Sequence, residues 1–246
     1  MTELAIIGGS GLTDLKDIAI IRRRVARTPY GEPSGPLVYG TLSGREVVFL
    51  PRHGHGHTIP PHLVNYRANI WALREAGVKT IVAVAAVGAI NPELQPADLA
   101  VPDQIIDYTY SRAHTFFDGQ SEPVTHVDFT APYCESLRVK LIAAARAAGI
   151  PIATRATYAA TQGPRFESAA EIDRLARDGA DIVGMTGMPE TGLARELGLC
   201  YAALAVIANP AAGRGGGDIS VAEVERVLAR GMDKVRVLLE QVIPEV

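Results

Sequence analysis

Apolar residues fall along this chain in two alternating rhythms. Short runs with almost no polar interruption, such as LAIIG at 4–8, KTIVAVAAVGAI at 79–90 and LCYAALAVIAN at 199–209, read as buried strands. Between them lie segments whose apolar positions recur every three or four residues, as on one face of a helix. His62–Ala76 carries Val64, Ala68, Trp71 and Ala72 at that spacing and stops at Gly77, and Tyr133–Ala148 stops at Gly149. Glu167–Arg177 ending near Gly179, Pro189–Glu196 closed by Gly198, and a last helix to Val242 with Ser220 as N-cap complete the predicted set. IATRATYAA (152–160) and ADIVGMT (180–186) are further predicted strands. PLVYGTL and REVVFLP, joined by Ser43-Gly44, predict a β-hairpin.

Strands that are apolar at every position usually lie in sheets covered on both faces. Alternating with helices, they predict an α/β fold with a central mixed, largely parallel twisted sheet flanked by helices. No linker or low-complexity tract divides residues 1–246, so a single domain is expected. In such sheets ligands sit beyond the carboxyl ends of the strands. That rule singles out Gly8–Leu12, Pro51–His57, Ala86–Ile90, Gly184–Thr186 and Ala208–Asp218.

Composition narrows the class. An apolar fraction of 48% with 21% charged residues suits a globular protein with a sizeable core. A net charge of −3 with scattered cations gives no footprint for nucleic acid. The row Arg22, Arg23, Arg24 reads as a solvated strand end. No run reaches the roughly 18–20 apolar residues that a membrane helix needs, and MTELAIIGGSG lacks the pattern of a signal peptide. A cytoplasmic location is expected. Cys134 and Cys200, too few for a disulfide framework, read as separate packing residues in a reducing compartment.

The strand ends carry the candidate chemistry. IIGGSGL fails the dinucleotide fingerprint because Asp14 stands where the third glycine belongs, and no Gly-Lys-Ser/Thr follows for a P-loop. A glycine turn whose N–H groups, with the Ser10 hydroxyl, could hold an anion remains, beside the plain reading of a tight turn. In PRHGHGHT, histidines 53, 55 and 57 resemble an H-x-H zinc pair. No acidic or cysteine partner lies at a metal-site spacing, and glycines separate the histidines, so an anion pocket of Arg52 with an imidazolium at His53 is the stronger reading. In TQGPRFE, Phe166 and Glu167 either plug the core and charge a helix start, or offer a ring and an acceptor to a flat heterocycle.

Together these segments resemble the trimeric purine nucleoside phosphorylases of the nucleoside phosphorylase superfamily, in particular the methylthioadenosine phosphorylase branch. The resemblance runs from IIGGSGL through TPYGEPS, RHGHGHTIPPHLVNYRANIWAL, FFDG, GPRFES, VGMTGMPE and ARELGLCYA to the last helix. It implies phosphate-dependent cleavage of an N-glycosidic bond, with inorganic phosphate as co-substrate and no metal or organic cofactor. It further implies a phosphate site of Ser10, Arg52, His53, the backbone at Ala86 and Thr186, although Ala85-Ala86 stands where that branch commonly has Thr-Ala. Met185 would lie under the ribose and Phe166 against the base. Val221 and Val224 would wall a 5′-methylthio pocket, completed by His126 from a neighbouring subunit, which requires a homo-oligomer, expected to be a trimer.

The base end departs from the adenine-type pattern. Those enzymes carry Asp-x-Asp after the last strand, where this chain has Asn209-Pro210-Ala211, and they tend to have serine where it has Glu167. A 6-oxopurine presents an O6 acceptor, an N1–H donor and, as it departs, an N7–H donor. The Asn209 amide matches O6 and N7–H in one orientation, and Glu167 can accept from N1–H. Asn209 and His53 are thus the candidate catalytic residues. The combination predicts S-methyl-5′-thioinosine as substrate, supplied by an upstream deamination. Alternatives are a methylthioadenosine phosphorylase in which Asp218 swings in on the loop 212–218, a general 6-oxopurine nucleoside phosphorylase, and, from other classes, a nucleoside-binding protein or a zinc hydrolase.

Overall fold

The computed structural model describes residues 2–12, 18–119 and 123–246. In chain order the elements are β1 (Leu4–Gly8), β2 (Ala19–Arg24), β3 (Leu37–Leu42), β4 (Arg45–Pro51), α1 (Tyr66–Glu75), β5 (Thr80–Ala89), β6 (Leu99–Ala100) and β7 (Gln104–Asp107). They continue with α2 (Glu135–Ala147), β8 (Ile152–Ala153), β9 (Thr157–Ala160), α3 (Ala169–Arg177), β10 (Ile182–Gly184), α4 (Glu190–Glu196), β11 (Cys200–Pro210) and α5 (Val221–Val242). One mixed sheet joins the strands, and helices cover both faces. Alternate residues of β1 show why it is apolar throughout: Leu4 and Ile6 pack into the same cluster as Leu137 of α2 and Leu239 of α5, and Ala5 and Ile7 into that of Ile70 and Leu193 of α1 and α4. The hairpin forms as predicted, with Ser43 and Gly44 both at positive φ in the turn between β3 and β4. The Arg22–Arg24 row lies on β2, an exposed strand paired with β3.

The topology opens a cleft at β5. On one edge β5 pairs with β11 along almost its whole length. On the other, β1 pairs with Thr80–Ala83 and β10 with Gly88 and Ala89, so on this edge no strand of the described residues pairs with residues 84–87. This divergence puts bare backbone at the carboxyl ends of β1, β4 and β11, a switch point of the kind that holds ligands in open α/β sheets.

Several boundaries differ from the sequence pattern for local reasons. The stretch 62–76 divides into a 3₁₀ turn at Pro61–Leu63 and α1, because Asn65 caps the helix by accepting from the Ala68 N–H at 3.1 Å. The stretch 152–160 breaks at Thr154, whose carbonyl accepts from Arg138, so β8 joins β6 while β9 joins β7 and β10. Ser168 and Glu171 form a capping box that starts α3 one residue after the cap, leaving Glu167 outside the helix. The reading of the cysteines needs correction. Cys134 precedes α2 and hydrogen-bonds through its N–H to Tyr201 at the start of β11, which brings its Cα within 5.1 Å of that of Cys200, and the two form a disulfide. Closing a loop of sequence separation 66 contributes roughly 4 kcal/mol in the chain-entropy account.

Candidate active site

A cavity of about 410 Å³ occupies the cleft. Two of its walls leave β1 and β4, which run parallel with Gly8 beside Pro51. Gly9 must lack a side chain, because a Cβ there would lie 2.6 Å from the Val84 carbonyl oxygen and 2.9 Å from Arg52 Nη1. Arg52 is 1% exposed and Glu190, at the start of α4, 0%. Nε and Nη2 of Arg52 each donate to a Glu190 oxygen at 2.7 Å, and Nη1 donates to the Val84 carbonyl at 2.8 Å. Tyr201 adds a third donor to Glu190 at 2.8 Å. Burial works against the Arg52 charge, but Glu190 more than offsets it and the guanidinium pKa is raised. Two of its five N–H groups remain for a ligand.

His53 departs from the imidazolium suggested by the sequence. Its Nδ1 lies 2.8 Å from the Ile59 carbonyl oxygen, which can only accept, so Nδ1 bears the proton. Burial, with Arg52 next to it, pushes the pKa down to about 4. At neutral pH the ring is therefore uncharged and Nε2 is an acceptor. Ser10, the Ala85–Gly88 backbone segment and Thr186 complete this end of the cavity.

Met185, Phe166, Glu167 and Asn209 line the same cavity. Gly163, at φ +61°, lets the segment before Phe166 touch Met185: a Cβ there would sit 2.4 Å from Met185 Sδ. Thr161 donates to Glu167 Oε1 at 2.6 Å, which engages one of the two carboxylate oxygens. A bulge at Ala208 shifts the register of β11 between Ile207 and Asn209, so that Asn209 pairs with Gly88 of β5, and its Nδ2 donates to the Pro210 carbonyl at 2.6 Å. Phe166 is 42% exposed, so it is a wall of the cavity and no core plug.

Two predicted residues lie elsewhere. Val221, the first residue of α5, is 61% exposed and does not line the cavity, whereas Val224, one turn on, lines it with Ile219 and Leu228. His126 is exposed and outside its own chain's cavity. Asp218 does not line it either; the loop before it leans on α3 through Arg214 and Asp173 at 2.9 Å. Glu190 was missed because a lone acid inside VGMTGMPE carries no sign of its distant partner. Ile219 and Leu228 were missed because apolar residues beside a helix start look like core. Among the described residues no group of three or more His, Cys, Asp or Glu could hold a metal, and no helix is long and apolar enough to cross a membrane.

The fold and the cleft are those of a nucleoside phosphorylase: residues 3–244 match the phosphorylase superfamily, and the chain belongs to it. It is 55% identical over 243 residues, 99% of each chain, to a probable S-methyl-5′-thioinosine phosphorylase of Pseudomonas syringae pv. tomato. It is also 48% identical over 249 residues to the 6-oxopurine nucleoside phosphorylase of Pyrococcus furiosus, covering 99% of this chain and 93% of that one. A solved structure of methylthioadenosine phosphorylase from Schistosoma mansoni in complex with adenine superposes with a TM-score of 0.95 at 34% identity, covering 100% of this chain and 92% of that one.

Proposed function

We propose that this enzyme cleaves S-methyl-5′-thioinosine with inorganic phosphate to hypoxanthine and 5-methylthioribose 1-phosphate, with no metal or organic cofactor. One observation carries the reading: the base end of the cavity offers Glu167 and Asn209, and among the described residues no second carboxylate lines it. An adenine leaving group needs an acid near N7. A 6-oxopurine needs an acceptor for N1–H and an amide that serves O6 and N7–H together, which is the inventory present. The relatives named for methylthioinosine and 6-oxopurine substrates support the same choice.

Phosphate lies between Ser10, Arg52, the Ala86 backbone and Thr186, with a protonated phosphate oxygen donating to His53 Nε2. A phosphate oxygen bonds to C1′ as the C1′–N9 bond breaks and its electron pair passes into the purine ring. Asn209 stabilises the purine as N7 takes up a proton from solvent, matched by the proton that the phosphate releases to solvent as it becomes the sugar phosphate. Phosphate stabilises the cationic sugar between the two. Met185 packs under the ribose. Ile219, Val224 and Leu228 give the 5′ end an apolar wall, where a buried hydroxyl without a partner costs roughly 1–3 kcal/mol and a methylthio group does not. His126 of a neighbouring subunit closes this end in a trimer, and the enzyme works in the cytoplasm in purine salvage.

The test is purine release from methylthioinosine, methylthioadenosine, inosine and adenosine, each with and without phosphate. Phosphate-dependent release of hypoxanthine from methylthioinosine should dominate. Dominant activity on inosine would favour the general 6-oxopurine reading, and release without phosphate would exclude a phosphorylase reaction.

A further inference from the structure

Arg112 belongs to none of the walls described, yet it touches the segments behind three of them. It is buried, and no carboxylate pairs with it among the described residues. Its guanidinium is held by carbonyls instead. Nη2 donates to Thr161 O at 3.2 Å and Gln162 O at 2.7 Å, and Nε to Gln162 Oε1 at 3.1 Å. These residues begin the segment that carries Phe166 and Glu167. Nη1 donates to Met185 O at 2.9 Å and Met188 O at 2.6 Å, on either side of Thr186. Nη1 also reaches Tyr66 OH at 3.3 Å, and that hydroxyl donates at 2.9 Å to the carbonyl of Pro61, another residue that lines the cavity.

A buried cation without a counter-ion is costly unless its donors are satisfied. Here the donors are satisfied only while these loops stay at their present separations. The fork is planar and rigid, so it fixes the distances among its acceptors as well as binding them.

We propose that Arg112 is a positioning residue that sets the spacing of the base, ribose and phosphate walls, and so the geometry in which sugar and phosphate meet. A lysine could donate from a single point but could not span the three segments. The inference rests on the cavity being the active site and not on which nucleoside it prefers.

The experiment compares Arg112→Lys, Arg112→Met and Tyr66→Phe with the unaltered enzyme, on whichever nucleoside the unaltered enzyme cleaves fastest. Kinetics are normalised to folded protein, and melting temperatures are measured alongside. Arg112→Lys should lose at least tenfold in kcat, with KM rising for both nucleoside and phosphate. Arg112→Met should lose at least 100-fold in kcat/KM, and Tyr66→Phe less than tenfold. A merely structural arginine would lower the melting temperature and leave the kinetics of folded molecules intact. Arg112→Lys with kcat and both KM values within twofold of the unaltered enzyme would overturn the proposal, even if Arg112→Met does not fold. An unaltered enzyme that releases no purine from any nucleoside would count against the proposed function instead.

Discussion

The two ends of the cavity are built differently. At one end Arg52 and Glu190 are almost fully buried, each held by several short hydrogen bonds, and His53 is locked through Nδ1. At the other, Phe166 is half open to solvent, and the Asn209 side chain donates to the carbonyl of the next residue. A buried, satisfied network is preorganised and tolerates little change. A half-open end can exchange an acid for an amide without disturbing the core. The closed end thus suits the reaction step shared by every substrate, and the open end suits the choice among them.

Breaking the closed end should have the largest effect and should spare the substrate ranking. Arg52→Lys keeps a cation but loses the fork to Glu190, and kcat/KM for phosphate should fall roughly 100- to 1,000-fold with every nucleoside. A changed ranking of nucleosides would show that the two ends are not separable.

The same end should carry a pH signature in the ligand-free protein. His53 has a folded pKa of about 4 against an ordinary value of 6.5, so the unfolded chain takes up the proton first as pH falls. Its contribution to stability is complete above about pH 6.5 and is lost progressively toward pH 4, by roughly 3 kcal/mol at most. Urea unfolding at several pH values should show this slope diminished in His53→Gln. An equal slope in both proteins would mean that His53 is not held neutral.

At the open end effects should be smaller and should reorder substrates. Asn209→Asp should slow hypoxanthine release and shift the ratio of hypoxanthine to adenine release toward adenine, by roughly 10- to 100-fold. An unchanged ratio would remove Asn209 from the base contact. Smaller still, Val224→Ala should weaken methylthio nucleosides alone by about 1 kcal/mol, or roughly fivefold in KM, with inosine unaffected.

The fold was largely legible in the sequence, because strands apolar on both faces and glycine-stopped helices leave strong periodic signals. The candidate site was legible where it sits at strand ends, so Ser10, Arg52, His53, Thr186 and Asn209 converge on one cavity. What escaped depends on pairings across the fold. The partner of Arg52 lies 138 residues away. Cys134 and Cys200 meet only because α2 begins beside the start of β11. Val221 and Val224 look alike in a string, and only the helix phase tells which one faces inward. The charge of His53 depends on burial and on a neighbour, neither of which a sequence displays.

The central claim is that an amide at position 209, with Glu167, selects a 6-oxopurine. A competition tests it most directly: equal concentrations of methylthioinosine and methylthioadenosine with excess phosphate, and both free purines followed in one reaction. The account predicts that hypoxanthine is released well before adenine, with a preference of at least tenfold. Adenine released first, or both at equal rates, would contradict it.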